Sequence, residues 1–188
     1  DHLISERQEG LPWLEFRQIA IPLLEALHAS HSLGVLHGDI KPSNVMLTAD
    51  GLRLFDYGLG EPLQGLLPGL PRLSRKRIAA WTPRYAALEL LDGGELTEAA
   101  DLYAVAVILY ELISGHHPYS RLTAKQAKCM EQGETLDKPE NLPKHCWPTL
   151  KAALAFDEQD RQTTVAELLA SFNHQPISLL QRLLGRTA

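Results

Sequence analysis

The run from Leu102 to Ile113 contains a single charged residue, Glu111. It is far shorter than the roughly 20 residues needed to cross a bilayer, so it predicts a helix buried on nearly every face with a domain built around it. Thr97 is the predicted N-cap, and Gly115 with Pro118 the predicted stop. A chain of 188 residues with 45% hydrophobic content can bury one such core and is too short for two ordinary domains.

Upstream, Leu14, Ile21, Leu24 and Leu27 recur at helical spacing between Trp13 and His31, which predicts a long amphipathic helix. Pro22 implies a kink there, or a place near the helix start if residues 10–20 form a separate lead-in turn. Val45-Met46-Leu47 and Leu52-Arg53-Leu54-Phe55 flank a turn containing Asp50-Gly51, the signature of a small hairpin. Residues 58–83 hold four Gly, four Pro and the basic run Arg75-Lys76-Arg77, and read as a long functional loop. Residues 119–148 carry Pro139, Pro143 and Pro148, consistent with one short helix among irregular connections. A capping box, Thr164 to Glu167, opens a last helix, and an amphipathic stretch from Ile177 to Leu184 follows it.

A net charge of -5 gives no general attraction to nucleic acid or to an anionic membrane surface. Cys129 and Cys146 are too few for a disulfide framework or a four-ligand zinc site, so a reducing, cytoplasmic setting is expected. His28 with His31 and His116 with His117 lack the further convergent ligands that a zinc ion requires.

Chemistry concentrates in His37-Gly38-Asp39-Ile40-Lys41-Pro42-Ser43-Asn44, followed by Asp56-Tyr57-Gly58. Phosphoryl transfer to a hydroxyl needs a carboxylate to orient the nucleophile, a cationic side chain near the transferred group, and oxygen ligands for magnesium. The two segments resemble the catalytic loop and metal-binding triplet of serine/threonine protein kinases. The resemblance implies a mainly α, kinase-like C-terminal lobe over residues 1–188, with the hairpin at the catalytic site and a C-terminal extension over 175–188. It makes Asp39 the catalytic base, Lys41 the charge beside the phosphate, and Asn44 and Asp56 the ligands of Mg2+ or Mn2+.

Further points of resemblance lie downstream. Thr82-Pro83-Arg84-Tyr85-Ala86-Ala87-Leu88-Glu89 looks like the end of a kinase activation segment, with Leu88 where Pro is usual. There Thr82 resembles the threonine that tethers the substrate-binding loop to the catalytic aspartate. Asp101 resembles the helix-opening aspartate that supports the catalytic-loop backbone, and Arg161 the arginine that pairs with the segment's glutamate, Glu89. His37 and Gly58 complete the expected structural support.

The chain begins at Asp1 and contains neither Gly-x-Gly-x-x-Gly nor Val-Ala-x-Lys. The kinase resemblance therefore implies a longer parent whose upstream N-terminal lobe grips ATP, and a fragment that is inactive by itself. The expected partners are ATP and a protein substrate, with no transmembrane segment, in the cytoplasm or in the cytosolic part of a membrane-anchored protein. Gly38 replaces the arginine that pairs with a phosphorylated loop, so that charge-pairing switch is expected to be missing. Ser74, beside the basic run, reads as a surface serine, with a phosphosite as the alternative, and the Tyr57 hydroxyl would need a partner if buried. His-Gly-Asp also resembles aminoglycoside and choline kinases, and the irregular Gly38, Tyr57 and Leu88 would suit a non-catalytic pseudokinase scaffold. Lys41-Pro42 and the Glu89 and Arg161 positions favour the protein kinase.

Overall fold

The computed structural model describes residues 9–57, 82–120, 122–130 and 136–174. The fold is mainly helical, with one antiparallel hairpin. Gly58, Ser74, the run Arg75-Lys76-Arg77 and the stretch Ile177 to Leu184 lie outside the described residues.

At the centre is α3, Glu98–Ser114, with every residue from Ala100 to Ile113 buried. The Thr97 hydroxyl accepts a bond from the Ala100 amide at 3.2 Å, and Glu98 and Asp101 place negative charge at the positive end of the helix dipole. Gly115 ends the helix at φ 81, donating its amide to the Glu111 carbonyl at 2.9 Å. That left-handed conformation suits a residue without Cβ.

Helix α1, Trp13–Ser32, buries Phe16, Ala20, Leu23, Leu24 and Leu27 on one face. Pro22 lies inside this helix rather than at its start, and it removes the donor that would reach the Gln18 carbonyl. Leu14 is a correction to the periodicity reading: it is 71% exposed, because it lies two residues, or about 200°, around the helix from the buried Phe16. The face of α1 packs against α3, α6 (Val165–Asn173) and the hairpin. Phe16 and Trp13 both meet Phe172 of α6 edge-on, at ring separations of 5.4 and 5.7 Å.

The hairpin pairs β1, Val45–Thr48, with β2, Gly51–Leu54, and Thr48 faces Gly51. The turn residues are therefore Ala49 and Asp50, one position earlier than the Asp50-Gly51 signal implies; Gly51 opens β2 at φ 117. Among the described residues there are also three short α-helices: α2 (Leu88–Leu91), α4 (Ala124–Cys129) and α5 (Trp147–Ala153). The Thr164–Glu167 capping box forms as expected at the start of α6. A second box, Thr123 to Gln126, opens α4 and is absent from the sequence reading. Helix α5 was also missed, since Pro148 reads as a breaker although proline is favoured in a first turn.

Candidate active site

Helix α1 delivers the chain to the site through a closed turn, in which the Ser30 hydroxyl donates to the Val35 carbonyl and the Val35 amide to the Ser30 carbonyl. Just beyond it, the His37 and Gly38 amides converge on one carboxylate. His37 N–H reaches Asp101 Oδ2 at 2.8 Å and Gly38 N–H reaches Oδ1 at 2.9 Å, while His31 Nε2 lies 3.0 Å from Oδ2. Asp101 is 1% exposed, so these contacts replace its lost hydration. Gly38 sits at φ 82, where a side chain would cost about 1–2 kcal/mol. Its identity thus has a backbone reason beyond the missing arginine charge.

Replacing Asp101 with Asn would turn an NH2 toward donors that now meet an oxygen. Asp101→Asn is expected to lower unfolding free energy by roughly 2–3 kcal/mol in urea titrations and to speed exchange at the His37 and Gly38 amides. Protection unchanged at both amides would contradict this.

The His37 ring is buried and bridges the loop to the hairpin. Its Nδ1 accepts from the Asp39 amide at 3.3 Å, so Nε2 carries the hydrogen and donates to the Phe55 carbonyl at 2.9 Å. Burial lowers the ring's pKa below the usual histidine value, against the upward pull of Asp101, and so favours the neutral form. The Tyr57 ring lies 4.4 Å from it, and Tyr57 is 37% exposed.

Asp39 is the convergence point. Its Oδ2 receives Lys41 Nζ at 2.5 Å and Asn44 Nδ2 at 3.4 Å, and its Oδ1 lies 3.4 Å from the Thr82 amide. Thr82 thus meets Asp39 through its backbone amide. Asn44 Nδ2 also donates to the Asp39 carbonyl at 2.8 Å, which turns Asn44 Oδ1 the other way. The turn Pro42–Asn44 holds this arrangement, with proline in its first position.

The Phe55 amide donates to the Asn44 carbonyl at 2.9 Å, extending the hairpin pairing and bringing Asn44 and Asp56 to its open end. Asp56 is exposed and takes φ 61, a left-handed conformation that aspartate tolerates better than most residues. Asn44 Oδ1 and the Asp56 carboxylate are hard oxygen donors. Among the described residues no group of three His, Cys, Asp or Glu side chains could cage a metal. Two side-chain oxygens instead fit magnesium, which keeps water and binds substrate phosphates.

The segment from Thr82 to Leu91 is braced on three sides. The Tyr85 amide donates to the Thr82 carbonyl, and the Tyr85 hydroxyl donates to Glu111 Oε2 at 2.9 Å. Arg161 grips Glu89 with both terminal nitrogens. Leu88 begins α2, at the position where its usual proline counterpart would equally fit.

His117 is the third brace. Its Nδ1 accepts from the Tyr119 amide at 3.1 Å, so Nε2 donates to the Arg84 carbonyl at 3.0 Å. Burial, and then the Arg84 cation, hold its pKa down to about 4. Unfolded histidine binds a proton near pH 6.5, so between pH 6.5 and 4 the unfolded chain takes up more protons and stability falls as pH falls. In urea titrations at pH 7 and 4.5, His117→Gln is expected to shrink the stability difference by roughly 2 kcal/mol. An unchanged difference would contradict it.

Neither His31 nor His117 stood out in sequence except as a discarded metal ligand. Each is a structural hydrogen bonder instead.

The protein kinase domain family matches residues 1–173 of the chain. The chain is 32% identical over 152 residues to the serine/threonine-protein kinase PkaA of Streptomyces coelicolor, covering 79% of this chain and 27% of that protein. It is 29% identical over 171 residues to the serine/threonine-protein kinase PknK of Mycobacterium bovis, covering 88% and 15%. With pkn3 of Myxococcus xanthus, a serine/threonine-protein kinase, identity is 34% over 123 residues, covering 63% and 22%. The chain thus spans about a quarter or less of the length of these relatives.

Proposed function

Because this chain belongs to the protein kinase domain family, we propose that it carries the catalytic and cation-binding loops of a serine/threonine protein kinase that uses ATP. The observation that carries this reading is the Asp39 carboxylate, 9% exposed and set between Lys41, Asn44 and the Thr82 amide. Asp39 accepts the hydrogen bond of an acceptor hydroxyl and fixes its lone pair toward the γ-phosphoryl group, taking the proton as the new O–P bond forms and the bond to the bridging oxygen of the departing ADP breaks. Lys41 has three donors, so it can hold Asp39 and still meet a phosphate oxygen. Asn44 Oδ1 and Asp56 would hold Mg2+ or Mn2+, which when bound offsets negative charge on the phosphate oxygens.

On this reading the residues that grip adenine lie in sequence outside these 188, in an N-terminal lobe, and the fragment alone transfers little phosphate. The braced segment from Thr82 to Leu91 favours an extended protein acceptor over a small alcohol. A cytoplasmic site for the domain belongs to the same proposal; no helix among the described residues is long and apolar enough to cross a membrane.

The full-length parent, given labelled ATP, magnesium and a mixture of proteins and small alcohols, should yield phosphoserine or phosphothreonine. Label found only in a small alcohol would favour an aminoglycoside- or choline-type phosphotransferase, and no transfer at all would favour a pseudokinase scaffold.

A further inference from the structure

Arg84 stands out in the braced segment because its side chain is partly exposed while the carboxylate nearest it, Glu111, is buried. The turn from Thr82 to Tyr85, closed by the Tyr85 amide on the Thr82 carbonyl, has Pro83 and Arg84 at its two corners. Thr82 touches Asp39, so Arg84 is anchored only two residues, about 7 Å of chain, from a residue in contact with the proposed base.

The surroundings engage the guanidinium along one edge and leave the side chain 43% exposed. Arg84 Nη2 donates to the Ser120 carbonyl at 3.2 Å, and the His117 ring holds the Arg84 carbonyl. Nε is buried with no hydrogen-bond partner among the described residues. The nearby carboxylate, Glu111, is 3.8 Å from Nη2 and already accepts the Tyr85 hydroxyl. Exposure separates the two charges: the Arg84 side chain is 43% exposed and that of Glu111 8%. A segment arriving from solvent therefore meets the guanidinium, while the acid that balances it stays beneath.

We propose that Arg84 is a specificity-determining residue that selects acceptor segments bearing an aspartate or glutamate side chain close to the acceptor hydroxyl. The proposal rests on the protein kinase reading and adds the acceptor's charge to it. A planar guanidinium binds a carboxylate through paired N–H donors, which a lysine ammonium reproduces only as a point charge.

The test uses the full-length parent with a serine/threonine peptide library in which each flanking position carries Glu, Gln or Lys in turn. At one position kcat/KM should be roughly fivefold higher for Glu than for Gln, the size of one partly exposed ion pair. Arg84→Gln should bring that ratio toward one, Arg84→Lys should retain part of it, and Arg84→Glu should reverse it in favour of Lys. The reversal is a readout that loss of folding or of general activity does not produce. Peptide phosphorylation with no acidic preference, or a preference unchanged in Arg84→Glu, would overturn the assignment of Arg84 alone. Transfer to no peptide at all would overturn the protein kinase reading beneath it.

Discussion

Arg161→Ala is expected to remove roughly 3–5 kcal/mol of unfolding free energy, a large share of the roughly 5–15 kcal/mol that a domain of ordinary stability possesses. The Arg161 side chain is fully buried. Nη1 donates to Glu89 Oε1 at 2.7 Å and to the Ala99 carbonyl at 2.8 Å; Nη2 reaches Glu89 Oε2 at 3.2 Å and the Ala155 and Phe156 carbonyls at 3.1 and 3.2 Å. Nε adds a second bond to Ala155, and the guanidinium lies 5.2 Å from the Tyr103 ring centre. One side chain thus joins α2, the first turn of α3 and the link after α5. Truncation strands a mostly buried carboxylate and three carbonyls together.

Glu89→Gln leaves a neutral acceptor in place and should cost less than Arg161→Ala, while Arg161→Lys, with one nitrogen, cannot span the same acceptors. Urea unfolding of the three variants gives the order directly. A loss below about 1 kcal/mol for Arg161→Ala would mean that the buried pair is not what joins these elements.

How far the fold could be read in sequence depended on how local each signal was. Helix α3 was legible because cap, apolar run and stop lie within one segment, from Thr97 to Gly115. The hairpin was legible for the same reason, with only its turn displaced by one residue. Leu14 misled because a run of apolar spacings does not reveal which face of α1 its neighbours cover.

At the candidate site, the resemblance to the kinase catalytic loop pointed to Asp39, Lys41 and Asn44, and the structure brings Lys41 and Asn44 each within hydrogen-bonding range of Asp39. It also places Arg161 on Glu89 and Asp101 beneath His37 and Gly38. The contacts that support them were not legible. His31 and Asp101 are 70 residues apart, and His117 and Arg84 are 33 apart. A histidine that will be neutral and buried has the same sequence appearance as one that will bind a metal. Gly38 read as a missing charge, whereas its φ of 82 shows that the loop's path also asks for a residue without Cβ.

The central claim is that Asp39 orients and deprotonates a protein hydroxyl during transfer from ATP, and Asp39→Asn in the full-length parent tests it most directly. Asparagine keeps the shape of the side chain and an acceptor oxygen, but loses the negative charge that pairs with Lys41 at 2.5 Å and the basicity to take a proton. In single-turnover assays with magnesium and saturating ATP, the rate of phosphoryl transfer should fall about 10²–10⁴-fold with nucleotide affinity nearly unchanged. A transfer rate equal to that of the unsubstituted enzyme, in a variant that folds and binds ATP, would contradict the claim.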